Sequence, residues 1–253
     1  MTYPQPAGAS MDRYYASSDY LSHESTGRSF IAAVYRTIRT IRLANKHHLI
    51  RSLVPEGYLL DVGCGTGELL AHLATKGYTV EGVEPGTKAR ARAMQLHRLK
   101  VSQSLEDIPT RAQFQCIMLW HVMEHLPNLQ ESVKRLHALL APNGYLLIAV
   151  PDRTSWDAQH YGPYWAAWDV PRHLWHFCPT NVHQLLQAYG FTLIQTRRMW
   201  LDAYYIALLS EQYRGTPQWL RWPSALFFGT WSNLSAWGRK RSSSSTLYIA
   251  RKT

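Results

Sequence analysis

An apolar run, Tyr58-Leu59-Leu60, leads into Asp61-Val62-Gly63-Cys64-Gly65-Thr66-Gly67-Glu68, after which Leu69, Leu70 and Leu73 recur at helical spacing. No other stretch constrains the fold as much. A strand that enters a helix through a glycine-rich turn lets backbone amides approach a ligand, because glycine has no Cβ in the way. The spacing of the glycines narrows the choice of ligand. Dinucleotide folds use G-x-G-x-x-G, with the third glycine where strand and helix pack. Here the third glycine comes one residue early, and Glu68 stands at the dinucleotide position. No Lys-Ser/Thr pair follows, which excludes the phosphate loop of NTPases.

Around this turn, strand and helix signals alternate. Strands are expected near Tyr58–Val62, Tyr78–Val83, Leu99–Val101, Phe114–Trp120 and Tyr145–Val150, then at Phe191–Thr196 and Thr246–Ala250. Helices are expected near Glu68–Thr75, Thr87–Leu96, Asn128–Leu140 (stopped by Pro142-Asn143-Gly144) and Thr180–Ala188. Such alternation predicts an α/β fold with a largely parallel sheet and helices on both faces. Phe114–Trp120 is almost continuously apolar, as a strand buried on both faces should be. Before the sheet, Ile31, Val34, Ile38, Ile41 and Leu49 mark an amphipathic cap helix, with Arg36, Arg39, Arg42 and Lys46 on a basic face read as solvated. Residues 1–53 are therefore read as an arm and cap helix, and 54–253 as the main domain.

Composition bears on partners and compartment. Three cysteines without metal-like spacing suit reduced thiols in a cytoplasm, and no signal pattern or membrane-length apolar run is present. There are 27 basic and 17 acidic residues, a net charge of +10, which would suit an anionic partner. The excess is uneven. From Gln212 to Thr253 the basic residues are Arg214, Arg221, Arg239, Lys240, Arg241, Arg251 and Lys252, with no acid among them.

The pattern Asp-x-Gly-x-Gly-x-Gly resembles the first motif of class I S-adenosylmethionine-dependent methyltransferases. Trp120-His121-Val122-Met123-Glu124-His125-Leu126 resembles the H-V-L-E-H-L signature of a small-molecule branch allied to the ubiquinone-type O-methyltransferases (type 11/23-like). The match runs in order from Asp61 to Asp152. Tyr14-Tyr15-Ala16-Ser17-Ser18-Asp19-Tyr20 and Pro171-Arg172-His173-Leu174 extend it to a bacterial subfamily. The resemblance implies a Rossmann-like sandwich with a mostly parallel seven-stranded sheet, an N-terminal helical cap and a C-terminal helical insertion before the last strand. It implies S-adenosylmethionine as cofactor, held by Asp61, Gly63, Cys64, Gly65 and Gly67 of the turn. Glu84, followed by Pro85, takes the ribose hydroxyls, since a carboxylate can accept both hydrogens of a diol. Ser104 and Leu105 correspond to the adenine loop, and Trp120 and His121 complete the cofactor pocket.

The acceptor is read from Tyr161 to Phe177, a segment that leaves the carboxyl end of a strand, where open α/β sheets bind ligands. Trp165, Trp168, Asp169 and Arg172 are assigned to the substrate, together with Tyr15 and Tyr20 of the N-terminal motif. Aromatics wall the site and favour a sulfonium, Arg172 suits an anionic group, and histidine can take a proton near neutral pH. The alternative for Asp169 and Arg172 is a structural ion pair. His121, His173 and His176 are the candidate bases, and the sequence does not choose among them. No metal is expected. His121-x-x-Glu124-His125 spells an inverted zinc-peptidase motif, but its first histidine ends a strand instead of sharing a helix face, and His173-x-x-His176 has no cysteine or carboxylate at metal spacing.

The function expected is therefore methyl transfer to a small molecule, most naturally at a hydroxyl oxygen. The alternatives are an RNA methyltransferase or a non-catalytic protein that binds the cofactor. Nucleic acid is disfavoured because no Asn/Asp-Pro-Pro-Tyr turn and no RNA-binding module is present. The Trp-rich insertion at 201–240 is read first as helices packed on the domain, with a lid or a peripheral membrane contact as less favoured readings. Oligomeric state leaves no mark in the sequence.

Overall fold

The computed structural model describes residues 1–3, 5, 30–237 and 242–253. Tyr15 and Tyr20, assigned to the substrate, lie outside the described residues, as do Arg239, Lys240 and Arg241. The strands are β1 (Tyr58–Val62), β2 (Thr79–Val83), β3 (Val101–Ser102), β4 (Phe114–Trp120), β5 (Leu140–Pro151), β6 (Phe191–Arg198) and β7 (Ser245–Lys252). They form one mostly parallel sheet in the order β3-β2-β1-β4-β5-β7-β6. This is the α/β architecture expected from the alternation. The order reverses at β1, and in such sheets ligands bind beyond the strand carboxyl ends at the reversal.

The chain divides into two compact units. One comprises 6–118 and 138–145. Its helices are α1 (Phe30–Leu53), α2 (Glu68–Ala74) and α3 (Thr87–His97). Parallel β1, β2 and β3 pair through Leu60↔Glu81 and Gly82↔Val101, because α2 and α3 each carry the chain back to start the next strand in the same direction. Leu59, Leu60, Leu70, Leu73, Phe114 and Ile117 are fully buried here, each such side chain contributing roughly 1.5–3 kcal/mol of transfer free energy. Glu81 is buried beside them; its Oε2 accepts from the Tyr58 hydroxyl and Lys100, and the same ammonium stands 2.9 Å from Oε1. Arg39 of α1 pairs with Glu68 at the start of α2.

One boundary departs from the sequence reading. Pro142-Asn143-Gly144, expected to separate helix from strand, lies inside β5, which starts at Leu140. Asn143 adopts φ 62°, and a Cβ on Gly144 would stand 2.9 Å from the Ala141 carbonyl and 3.1 Å from that of Phe114. The triplet is thus a kink within a strand, permitted by a left-handed Asn and a glycine that neighbouring carbonyls approach closely.

The other unit comprises 1–5, 119–137 and 146–253. It contains most of α4 (Leu129–Leu139), with α5 (Trp156–Tyr161), α6 (Pro179–Ala188), α7 (Trp200–Tyr213) and α8 (Gln218–Trp237). Strands β6 and β7 pair antiparallel, with an irregularity between Leu193 and Gln195. The insertion is the helical pair α7 and α8. Their shared face is built from small residues: Ala203, Ala207 and Ser210 on α7, and Ala225, Gly229, Ser232 and Ala236 on α8. A Cβ on Gly229 would come within 2.6 Å of the Tyr204 ring, so the two helices approach about as closely as side chains allow. Beneath them, buried Asp157 accepts from the Trp165 indole (2.8 Å) and the Ser232 hydroxyl (2.9 Å), and the Tyr161 hydroxyl donates to Glu211 at 3.0 Å.

Candidate active site

The glycine turn caps β1 and is stitched to β2. The amides of Gly63 and Cys64 both donate to the Val83 carbonyl, at 2.7 and 3.1 Å. Gly63, Gly65 and Gly67 have φ of 71°, 55° and 80°, a left-handed run that other residues adopt only at a cost. The glycines serve different ends. A Cβ on Gly67 would lie 2.5 Å from Leu99 Cδ1 and 3.0 Å from Ala93 Cβ, so this glycine lets the turn pack against α3 and the approach to β3. A Cβ on Gly65 would meet nothing within 4 Å, so the turn is open at that residue. The Cys64 thiol is turned inward, 2.6 Å from where a Cβ on Gly82 would be, and burial raises its pKa.

Two carboxylates flank the open side. Glu84 accepts from the amides of Gly65 and Gly86, both at 2.8 Å, and Arg90 fixes the following backbone through the carbonyls of Glu84 and Pro85. Asp61 is buried at the end of β1 with no hydrogen bond to its Oδ1. Burial pushes its pKa up to about 7, with the Glu84 charge reinforcing and Lys46 opposing the shift. Ser104 forms a reciprocal capping box with Asp107 around the short helix Leu105–Asp107, so its hydroxyl is engaged with the backbone in this structure. An orphaned buried oxygen beside an open glycine cradle, with a carboxylate held across it, is a fit for a ligand carrying a cationic group and a diol.

The histidines belong to the other unit. His121 follows β4 with φ 57°, its amide donating to the Ala149 carbonyl at 2.9 Å. Its Nε2 lies 2.9 Å from Asp202 and its Nδ1 3.5 Å from Glu124. Burial alone would lower its pKa, but Asp202 and then Glu124 outweigh that and push it up to about 10. Glu124, itself buried, is held below the ordinary carboxylate range despite its burial, by His121, His173 and His125.

His173 Nδ1 is 2.8 Å from the Ala167 carbonyl, which can only accept, so the ring proton sits on Nδ1. Its Nε2 faces Asp169 at 3.6 Å and Glu124 at 4.0 Å. His176 Nε2 meets the Thr2 hydroxyl at 3.1 Å, and burial together with nearby positive groups such as Arg153 pushes its pKa down to about 4. Glu124, His125 and His173 also bring ligand-type atoms within 4.8 Å of one another, a grouping that sequence spacing does not reveal. The His121 cation balances the Glu124 charge there.

The acceptor segment is clamped to the His121–Leu126 motif. The Glu124 carbonyl accepts from the amides of Leu174 (2.8 Å) and Trp175 (3.1 Å). His125 Nδ1 donates to the Arg172 carbonyl at 3.0 Å, and the Trp175 indole donates to that of Leu126 at 2.7 Å. Arg172 binds Asp169 through both Nε (3.0 Å) and Nη2 (2.7 Å). Trp165 is buried against α7 and α8, while Trp168 is half-buried with its ring 5.1 Å from that of His176. Sequence reasoning missed Asp202, Thr2, Asp157 and Glu211. Asp202 and Glu211 are the two acids of the apolar stretch 201–237, and an acid in such surroundings was the available signal.

A histidine that binds its proton more tightly when folded stabilises the fold fully below its unfolded pKa of about 6.5, and that contribution fades as pH rises toward the folded value. The His121 pairing is therefore expected to weaken between about pH 6.5 and 10. In an NMR titration the His121 ring should remain protonated well above neutral pH, and Asp202→Asn should move its midpoint down. An unchanged midpoint in that variant would remove Asp202 as the cause.

A family described as a methyltransferase domain matches residues 35–196. The ubiquinone biosynthesis O-methyltransferase of Bradyrhizobium diazoefficiens is 33% identical over 113 residues, covering 41% of this chain and 44% of that relative. The chain spans about half the length of the curated relatives it matches, 44% and 59% in two of them. Among solved structures, a putative sarcosine dimethylglycine methyltransferase from Galdieria sulphuraria superposes with TM-score 0.60 at 16% identity, over 87% of this chain and 88% of that one. The 1,6-didemethyltoxoflavin-N1-methyltransferase of Burkholderia thailandensis, bound to its substrate and S-adenosylhomocysteine, gives TM-score 0.57 at 18% identity over 100% and 93% of the two chains. With its glycine turn, its sheet order and a family match over more than half its length, the chain belongs to the methyltransferase domain family.

Proposed function

We propose that this protein is an S-adenosylmethionine-dependent methyltransferase that methylates a hydroxyl oxygen of a small molecule. The observation that carries the reading is the open cradle at Gly65 between Asp61 and Glu84. The bound cofactor would supply an electrophilic methyl on a sulfonium. Asp61 would offer its unpaired oxygen at the buried end of the turn. Glu84 retains lone pairs beyond the two amides it already accepts from, enough to take the ribose hydroxyls. Leu105 would complete the adenine wall.

In an in-line displacement the acceptor oxygen forms a bond to the methyl, the sulfur keeps the electron pair of the broken bond, and the hydroxyl proton must leave. Of the three candidate bases, His121 already holds a proton at neutral pH and acts as a fixed cation. His176 is too weakly basic to compete for one. His173 is assigned the proton: Ala167 fixes its Nδ1–H, and the carboxylates of Asp169 and Glu124 would stabilise the charge formed at Nε2. The relatives named for O-methylation support oxygen as the acceptor atom.

Incubation with the cofactor and a panel of phenolic, quinol and sugar hydroxyl compounds is expected to release S-adenosylhomocysteine with one acceptor class. His173→Ala should lower kcat by about 10²–10⁴-fold with little change in cofactor affinity. Absence of S-adenosylmethionine binding by calorimetry would sink the reading.

A further inference from the structure

Helix α8 is built inside out. Its inner face is mostly small (Ala225, Gly229, Ser232, Ala236), with Phe228 packed inward, whereas most of its bulky apolar side chains point outward. Trp219, Trp222, Leu226, Phe227, Trp231 and Trp237 are all exposed, Trp219 by 76% and Trp237 by 74%. At 100° per residue these six spread over about half of the helix circumference, centred away from the small residues, with Trp222 at the border between the two. A helix that only packs on its domain turns its large side chains inward, so this surface is left over after folding. Contiguous exposed apolar surface on this scale marks an interaction site.

We infer that this face of α8 seats the protein on the surface of an anionic phospholipid bilayer. Charge selects the occupant. No Asp or Glu occurs from Gln212 to Thr253, while cations lie near both ends of the helix. Arg221 sits in the first turn, its Nε donating to the Thr216 carbonyl at 2.8 Å. At the far end the Arg198 guanidinium lies 5.7 Å over the Trp200 ring, which is 6.1 Å from that of Trp237. A second copy of this chain would bring an acid-free basic face against another like it, whereas lipid phosphates complement both ends. Tryptophan favours the boundary between headgroup and acyl chain, where its ring is apolar and its N–H wet. The helix would lie in that plane, since no helix among the described residues is long and apolar enough to cross a membrane.

The test is co-flotation of the full chain with vesicles of phosphatidylethanolamine and phosphatidylglycerol, and with vesicles of phosphatidylcholine alone. Binding to the anionic vesicles, weakened by salt, is expected, and brominated lipid should quench tryptophan fluorescence. The triple variant Trp219→Gln/Trp222→Gln/Phe227→Gln should lower flotation at least about tenfold while keeping its thermal midpoint and S-adenosylhomocysteine affinity. These side chains are exposed, so folding should survive. Should the variant not fold, quenching of the unmodified protein by lipid brominated near the headgroup decides the matter alone. No flotation at low salt, equal flotation of a folded variant, or a lipid-free dimer that the variant dissolves would each overturn the inference.

Discussion

Substituting Gly65 and Gly67 is expected to separate two losses that a shared motif usually confounds. Gly67→Ala should destabilise the fold by about 2–5 kcal/mol, combining left-handed strain with overpacking. Its Cβ would sit 2.5 Å from Leu99 and 3.0 Å from Ala93, with both neighbours in the core between α3 and β3. At Gly65 a Cβ meets no atom within 4 Å, so Gly65→Leu should cost little beyond the backbone strain, about 1–2 kcal/mol. Its side chain would fill the open cradle, so S-adenosylhomocysteine affinity should fall by at least about a hundredfold, or ~3 kcal/mol. Denaturant unfolding and titration calorimetry on both variants read the two losses separately. A Gly65→Leu protein that binds like the parent would remove the turn from the cofactor site.

Asp157→Ala is expected to be the most damaging change away from the turn. Asp157 is fully buried and takes the Trp165 indole and the Ser232 hydroxyl, which joins the acceptor segment to α8. Removing it orphans two buried donors at about 1–3 kcal/mol each, which in a chain of this length lowers the melting temperature by roughly 5–20 °C. Ser232→Ala removes one donor and leaves the indole satisfied, so it should cost no more than about 1–2 kcal/mol. Scanning calorimetry checks both, and equal costs would show that the Trp165 bond contributes nothing.

These expectations lean on features of unequal visibility in the sequence. The strands were legible because buried parallel strands read as apolar runs, and the strand expected at Phe114–Trp120 occupies that span. The glycine turn was legible from spacing alone. The partner of His121 was not, because Asp202 lies 81 residues downstream and no local pattern records a long-range ion pair. Packing of the insertion was expected and occurs on the small face of α8. Periodicity gave no warning that the larger apolar residues would be left outside, since a stripe of tryptophan and phenylalanine reads the same whether covered or bare. Asp169 and Arg172 were open between substrate contact and ion pair, and the structure pairs them.

The joint between Glu124–Leu126 and Arg172–Trp175 is made largely of main-chain atoms: one carbonyl accepts two amides, and a second carbonyl meets a histidine ring. Backbone groups are invariant under substitution. Side chains along the acceptor segment other than Trp175, whose indole donates to the Leu126 carbonyl, can therefore be exchanged, by mutation or by a protein engineer, without unfastening the segment from its anchor. A loop fastened in this way can diverge in specificity while its registry stays fixed, which gives a family with one methyl donor a structural route to many receivers.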